Sequence, residues 1–220
     1  LHVHKCGGTT VCVSAKNAGY VVSADTNCNV QADQRCCGGD TLESQQEFAL
    51  STRYTMVANE QHMVDVMDKV HYWYITALRD PMARYQSHYL HVKRIGGTKL
   101  AFANWMAGQP DNWMVRKFCG RPCLTVPKFA LSQQHFTSAL KKLLQFDEVL
   151  FWGTGKQSFD RLPIQGKANT RSARQKLPPP CCEQMVHWDD ALYHAAMAKF
   201  RRPRARERFR LPCGNKCTTY

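Results

Sequence analysis

The feature that most constrains this chain is its first ten residues, Leu-His-Val-His-Lys-Cys-Gly-Gly-Thr-Thr. Residues 1–4 read as the end of a strand, followed by a lysine, two glycines and two hydroxyls at the start of a helix. A strand that feeds a glycine turn opening into a helix gathers backbone N–H groups at the helix start. The glycines permit close approach, and the unpaired N–H groups give the turn positive potential. Lys5 adds a mobile full charge at the same place. The expected product is an oxyanion-binding turn at the carboxyl edge of a sheet. It is not a Walker-type nucleotide loop, in which the lysine follows the last glycine and precedes a Ser or Thr. Here Lys5 precedes Gly7 and Gly8, so a magnesium-dependent kinase or ATPase is disfavoured.

The rest of the chain alternates short apolar runs with amphipathic stretches. Residues 9–17 predict a helix closed by Gly19, and residues 25–40 predict a turn-rich, cysteine-rich surface loop. A helix is expected over 42–50, a short strand over 54–58 and a buried central strand over 71–78, which is aromatic and β-branched. Asp80 then serves as an N-cap and Pro81 as the first helical residue of a helix running to Arg94. Helices are expected over 101–107, 111–118 and 132–146, the last with Phe136, Ala139, Leu140, Leu143 and Leu144 on one face. Residues 149–152 read as a second buried strand, 163–182 as a proline-rich linker and 183–200 as a final helix. This alternation predicts an α/β fold of three layers around a mostly parallel central sheet, in one domain spanning 1–220. Ligands of such sheets bind at the carboxyl ends of strands. Lys5, Glu60 and Arg79 all fall at such ends.

Charge narrows the partners. The 220 residues carry 30 Lys and Arg against 17 Asp and Glu, a formal net charge of +13. That field favours polyanions: nucleic acid, acidic membrane or acidic glycan. The arginine-rich run over 201–210, inside a basic tail at 201–220, is a candidate grip for such a partner or simply a solvated segment. The 11 cysteines suggest an oxidising compartment and several disulfides. Their odd number leaves at least one thiol free or paired outside the chain. The pairs Cys119/Cys123 and Cys213/Cys217 have three-residue spacers, which fit structural zinc less well than disulfides. No run approaches the 18 apolar residues of a membrane span. The chain has no initiator Met and begins inside an expected strand, so it reads as a fragment whose preceding segment would carry any targeting or anchoring signal.

Arg79, at the end of the central strand, is placed to clamp a phosphate bidentately. Ser87 follows eight residues later, two helical turns on, and Arg84, Ser87, His88 and His91 share a helix face. These residues carry a family resemblance. Residues 2–10 resemble the 5′-phosphosulfate loop of Golgi carbohydrate sulfotransferases, and residues 74–89 resemble their 3′-phosphate motif. The heparan sulfate 6-O-sulfotransferase branch is the most similar. His91-Val-Lys-Arg-Ile-Gly, the helix over 132–146 with the Val-Leu-Phe-Trp-Gly-Thr that follows, Asn169-Thr170-Arg171 and the segment from Asp190 to Tyr193 also resemble it.

The resemblance implies a P-loop-like, disulfide-containing sulfotransferase whose donor is 3′-phosphoadenosine 5′-phosphosulfate, with no metal. By position, Lys5, Cys6, Gly7, Gly8, Thr9 and Thr10 would hold the 5′-phosphosulfate, and Arg79 and Ser87 the 3′-phosphate. Asn169, Thr170 and Arg171 would lie near the nucleotide, and His91 would face the acceptor sugar. The branch places a histidine base after the strand that matches 54–58. Here Asn59 stands there, followed by Glu60 and then His62. Glu60 is the expected base and His62 the alternative, and the departure leaves the sulfated position open. The implied partner is an acidic, heparan-sulfate-like glycan rather than nucleic acid. The implied location is the Golgi lumen, with membrane anchoring only through a segment outside this sequence. Two rival readings stand beside this one: a protein-tyrosine sulfotransferase, and a non-catalytic, disulfide-rich glycan-binding protein.

Overall fold

The computed structural model describes residues 3–23, 28, 42–51, 53–58, 60, 63, 67–153 and 183–200. Among them, helix α1 spans Gly8–Asn17 and α2 spans Leu42–Ser51. Strand β1 (Ile75–Arg79) leads into α3 (Pro81–Arg94), then α4 (Phe102–Ala107), α5 (Trp113–Cys119), α6 (Arg121–Leu124) and α7 (Gln133–Leu143). Strand β2 (Glu148–Trp152), a 3-10 turn over Glu183–Met185 and α8 (His187–Phe200) complete the described chain. None of its helices is long and apolar enough to cross a membrane.

β1 and β2 pair in parallel with Arg79 opposite Trp152, so both strands end on one edge. Their middles are buried, Leu78 and Leu150 completely. One apolar cluster packs β1 and β2 against α5, α7 and α8 through Leu78, Phe118, Leu143, Phe151 and Leu192. A second gathers Tyr85 and Tyr89 of α3 with Phe102, Trp105 and Met106 of α4. Tyr85 and Tyr89 also donate their hydroxyls to the carbonyls of Pro110 and Leu100, fixing the α3–α4 corner.

The start of α3 follows its sequence signals. Asp80 Oδ1 accepts the N–H of Ala83 at 2.8 Å, and Pro81 occupies the first turn, where its missing N–H costs nothing. At α7, the backbone N–H of Ser132 donates to His135 Nδ1 at 3.0 Å. The apolar face expected there is turned inward, with Ala139 and Leu143 fully buried.

Three expectations need correction. The strand expected over 71–78 begins only at Ile75. Asp68 Oδ1 accepts the N–H groups of Val70 and His71, and its Oδ2 lies 2.8 Å from His71 Nδ1, so the chain turns over 69–71 before it extends. Residues 54–58 form only isolated bridge contacts, including a parallel one between Val22 and Met56. Val3 is irregular, and His4 and Lys5 form a turn where a strand end was expected.

Disulfides join Cys12 to Cys28 and Cys119 to Cys123, so the second pair is bonded to itself rather than poised around zinc. Cys6 is a buried thiol. The linker at 163–182, the basic tail and most of the cysteine-rich loop lie outside the described residues.

The corner where α5 meets α6 is closed by charge. Arg116, 3% exposed, donates Nε to the Asp111 carbonyl and Nη2 to Asp111 Oδ1 at 2.6 Å. Its Nη1 donates to the carbonyls of Cys123 and Val126, and Nη2 also reaches Pro127. A buried guanidinium is tolerated when its donors are matched in this way.

Candidate functional site

The turn over residues 4–7 sits on the edge where β1 and β2 end. Arg79 Nη1 donates to the Lys5 carbonyl at 3.4 Å, joining the strand end to the turn. Lys5 has φ +67 and Gly7 has φ +92, two left-handed residues within one tight turn. For Lys5 that conformation is strained; for Gly7 it is free. Gly7 also packs against Trp152 of β2. A β-carbon there would come within 2.6 Å of Trp152 Cε3, so the turn lies against the indole with room only for a glycine.

α1 opens at this turn. Gly7 is its N-cap, no side chain caps it, and its first turn holds no acidic residue. The N–H groups that a serine or aspartate would otherwise engage are therefore presented at the helix start together with its dipole. Thr9 is exposed and Thr10 is buried.

A carboxylate and a group of imidazoles border the turn. His4 Nδ1 lies 3.4 Å from Glu60 Oε1. The Glu60 carbonyl accepts Lys117 Nζ at 2.8 Å, and Lys117 stands 4.6 Å above the Trp113 ring. The His4 ring makes edge contacts with His88 at 4.8 Å and His91 at 6.3 Å, so α3 faces the turn with two histidines. Arg94 Nη2 lies 3.2 Å from His91 Nδ1.

Electrostatics follow this crowding. Burial, then Arg94 and Arg79, pull Lys5 below the ordinary lysine range, with Glu60 opposing them. Burial also works against the charge of Arg79. His88 is pushed down to about 4, by burial first and then by His4 and Arg84. His91 moves the same way, with burial and then Lys5 as causes. Cys6, enclosed at the middle of the turn, is pushed up to about 12 by burial and is an inert thiol. The ensemble has a surplus of cationic groups that an oxyanion would relieve.

The structure thus brings together Lys5, Cys6, Gly7, Gly8, Arg79, Glu60 and, through His4, His91. Ser87 lies half-buried on α3, eight residues past Arg79. His62, Asn169, Thr170 and Arg171 lie outside the described residues. His4, Lys117, Trp152 and Arg94 also belong to the site, although the sequence assigned none of them a role there. His4 had one local signal, its place immediately before Lys5. Lys117 and Trp152 reach the site only through tertiary packing.

Comparisons of the chain with protein-family models, with curated proteins and with solved structures returned no match.

Proposed function

We propose that this chain is a sulfotransferase that moves a sulfuryl group from 3′-phosphoadenosine 5′-phosphosulfate to a hydroxyl of an acidic glycan. The observation that carries the reading is the contact between Arg79 and the Lys5 carbonyl, 3.4 Å, which makes one site of two motifs 74 residues apart. A nucleotide with phosphates at both ends needs cations on both sides of it. The uncapped start of α1 and the glycine pressed on Trp152 suit a group with several charged oxygens approaching backbone N–H groups closely.

The donor supplies the sulfuryl group. The chain supplies position and charge. Lys5 neutralises charge on the departing phosphate side, and the N–H groups of Gly7 to Thr10 hold the oxygens around it. Arg79 and Ser87 grip the 3′-phosphate, with Asn169 to Arg171 as further nucleotide contacts. Glu60 accepts the proton of the acceptor hydroxyl, its carboxylate held near the turn by His4; His62 is the alternative base. His91 meets the acceptor. The net charge of +13 favours an acceptor that is itself a polyanion. A secretory, Golgi-lumen setting goes with the disulfides in this reading, and no nucleic acid or metal takes part.

Calorimetry with adenosine 3′,5′-bisphosphate tests the donor site, and sulfate transfer onto heparan-type glycans against tyrosine peptides tests the acceptor. Binding of the bisphosphate together with glycan labelling is expected. Absence of heat with the bisphosphate sinks the reading, and labelling of the peptides alone replaces its acceptor half. Glu60→Gln is expected to abolish turnover while leaving bisphosphate binding intact.

A further inference from the structure

Arg84 stands apart from the groups assigned so far. It lies on the first turns of α3, five residues past Arg79, and is 2% exposed. Its guanidinium carbon sits 4.0 Å from the centroid of the Tyr85 ring and 5.9 Å from that of Trp113, at the boundary of the two apolar clusters. Among the described residues, Arg84 Nε and Nη2 are buried with no hydrogen-bond acceptor, and so is Trp113 Nε1 beside them. All three are donors, so the mismatch has one sign.

The neighbouring carboxylate does not resolve it. Asp189 Oδ1 and Oδ2 accept the N–H groups of Val115 and Met114 at 2.7 and 3.0 Å. Burial lifts Asp189 to about 7 against those donors and against Arg84 itself, so its countercharge is partial. Among the described residues Arg84 forms no ion pair. Besides Asp189, its charge bears on Cys6 at the middle of the turn, on Arg79 and on His88.

Stability alone does not account for such a residue. A buried guanidinium with unmatched donors is destabilising, and an apolar side chain of similar volume fills the same space without that cost. Arginine also keeps its proton where a buried lysine would shed it, so the charge persists. We propose that Arg84 is a positioning charge for anion binding: a buried guanidinium one helical turn before His88, whose ring meets His4 of the turn, that raises the turn's affinity for an oxyanion at the expense of the fold. The inference covers any oxyanion held there, nucleotide or inorganic, and so extends beyond the sulfotransferase reading.

The test uses the full chain, wild type, Arg84→Met and Arg84→Lys, with adenosine 3′,5′-bisphosphate and inorganic phosphate as probes. Melting temperatures are measured without ligand, and affinities by calorimetry across a sodium chloride series. Arg84→Met is expected to melt at or above wild type, to bind the probes at least about tenfold more weakly and to show a shallower salt dependence, since one charge is gone. Arg84→Lys is expected to bind as weakly as Arg84→Met at about pH 8, where a lysine buried there sheds its proton, and to recover toward wild type measured at the same pH as the pH is lowered. A lowered melting temperature or failure to fold in Arg84→Met, or an unchanged affinity, makes Arg84 a structural residue and overturns the proposal. So does an Arg84→Lys affinity that stays as low as that of Arg84→Met at every pH tested. Arg84-dependent binding of phosphate without any binding of the bisphosphate would sink the sulfotransferase reading and leave this inference standing. Equal bisphosphate binding by wild type and Arg84→Met does the reverse. If neither probe binds wild type, both fall.

Discussion

Arg116 and Arg84 are buried to the same degree, 3% and 2% exposed, yet they sit in opposite company. Around Arg116 every nitrogen of the guanidinium has an acceptor, and the paired carboxylate of Asp111 is 2.6 Å away. Around Arg84 two nitrogens have none among the described residues. The α5–α6 corner is what a chain builds when it is optimising closure. The α1–α3 corner instead gathers a left-handed lysine, an uncapped helix start, a free buried thiol and an unmatched guanidinium within one neighbourhood. Four departures from local rules fall together there, which is the pattern of a region retained for binding rather than for stability.

The largest expected effect breaks the closed side. Arg116→Met leaves the buried Asp111 carboxylate with the Asn112 amide but without its countercharge, and should cost about 3–5 kcal/mol of unfolding free energy in a denaturant titration. A loss below about 1 kcal/mol would mean that the two arginines do not differ in kind. On the open side, Lys5→Ala should lower turnover roughly 10²–10³-fold with little change in the midpoint of unfolding. If Lys5→Ala unfolds the chain instead, the turn is scaffold rather than site. Gly7→Ala comes next. It forces a side chain into φ +92 and against Trp152, and should cost about 1–3 kcal/mol by thermal melting.

The smallest effect is one of slope. His88 sits at about 4 in the folded chain, against an ordinary 6.5, because burial and then His4 and Arg84 disfavour its charged form. The native ring stays neutral where the unfolded chain takes up a proton. Its contribution to stability is therefore complete above about pH 6.5 and is lost as pH falls toward 4. Asp189 acts in the opposite sense, losing stability as pH rises toward about 7. Comparing wild type with His88→Gln cancels Asp189 and isolates the ring. Melting temperatures from pH 7 to 4 should fall more steeply in wild type. Parallel curves would mean that the ring is not held neutral.

How far the sequence could be read depended on how local the cause was. The helix over Pro81–Arg94 is announced by Asp80 and Pro81 and ends in a basic last turn, so each of its boundaries has a nearby signal. α7 and α8 were legible from apolar spacing for the same reason. The early strand start at 71 failed because Asp68, an ordinary loop residue in composition, captures three groups of the following turn. Residues 54–58 failed because β-propensity cannot say whether a partner strand will lie alongside. In the site, Lys5, Gly7 and Arg79 were legible because motif chemistry is linear. Trp152 and Lys117 were not, since they arrive from 147 and 112 residues beyond Lys5; Lys117 has no local mark, and Trp152 was read only as part of a buried strand. Arg84 was visible as a helix-face residue, but its want of acceptors is a property of the fold alone.

The close seat of Gly7 against Trp152 has an optical consequence. The chain has five tryptophans, and this indole is the one the glycine turn presses on. Any lift or settling of the turn changes the polarity around that ring, so the molecule carries its own fluorescent gauge of the loop. A Trp152→Phe reference spectrum would let a stopped-flow trace watch the loop close at its own speed, with no dye attached.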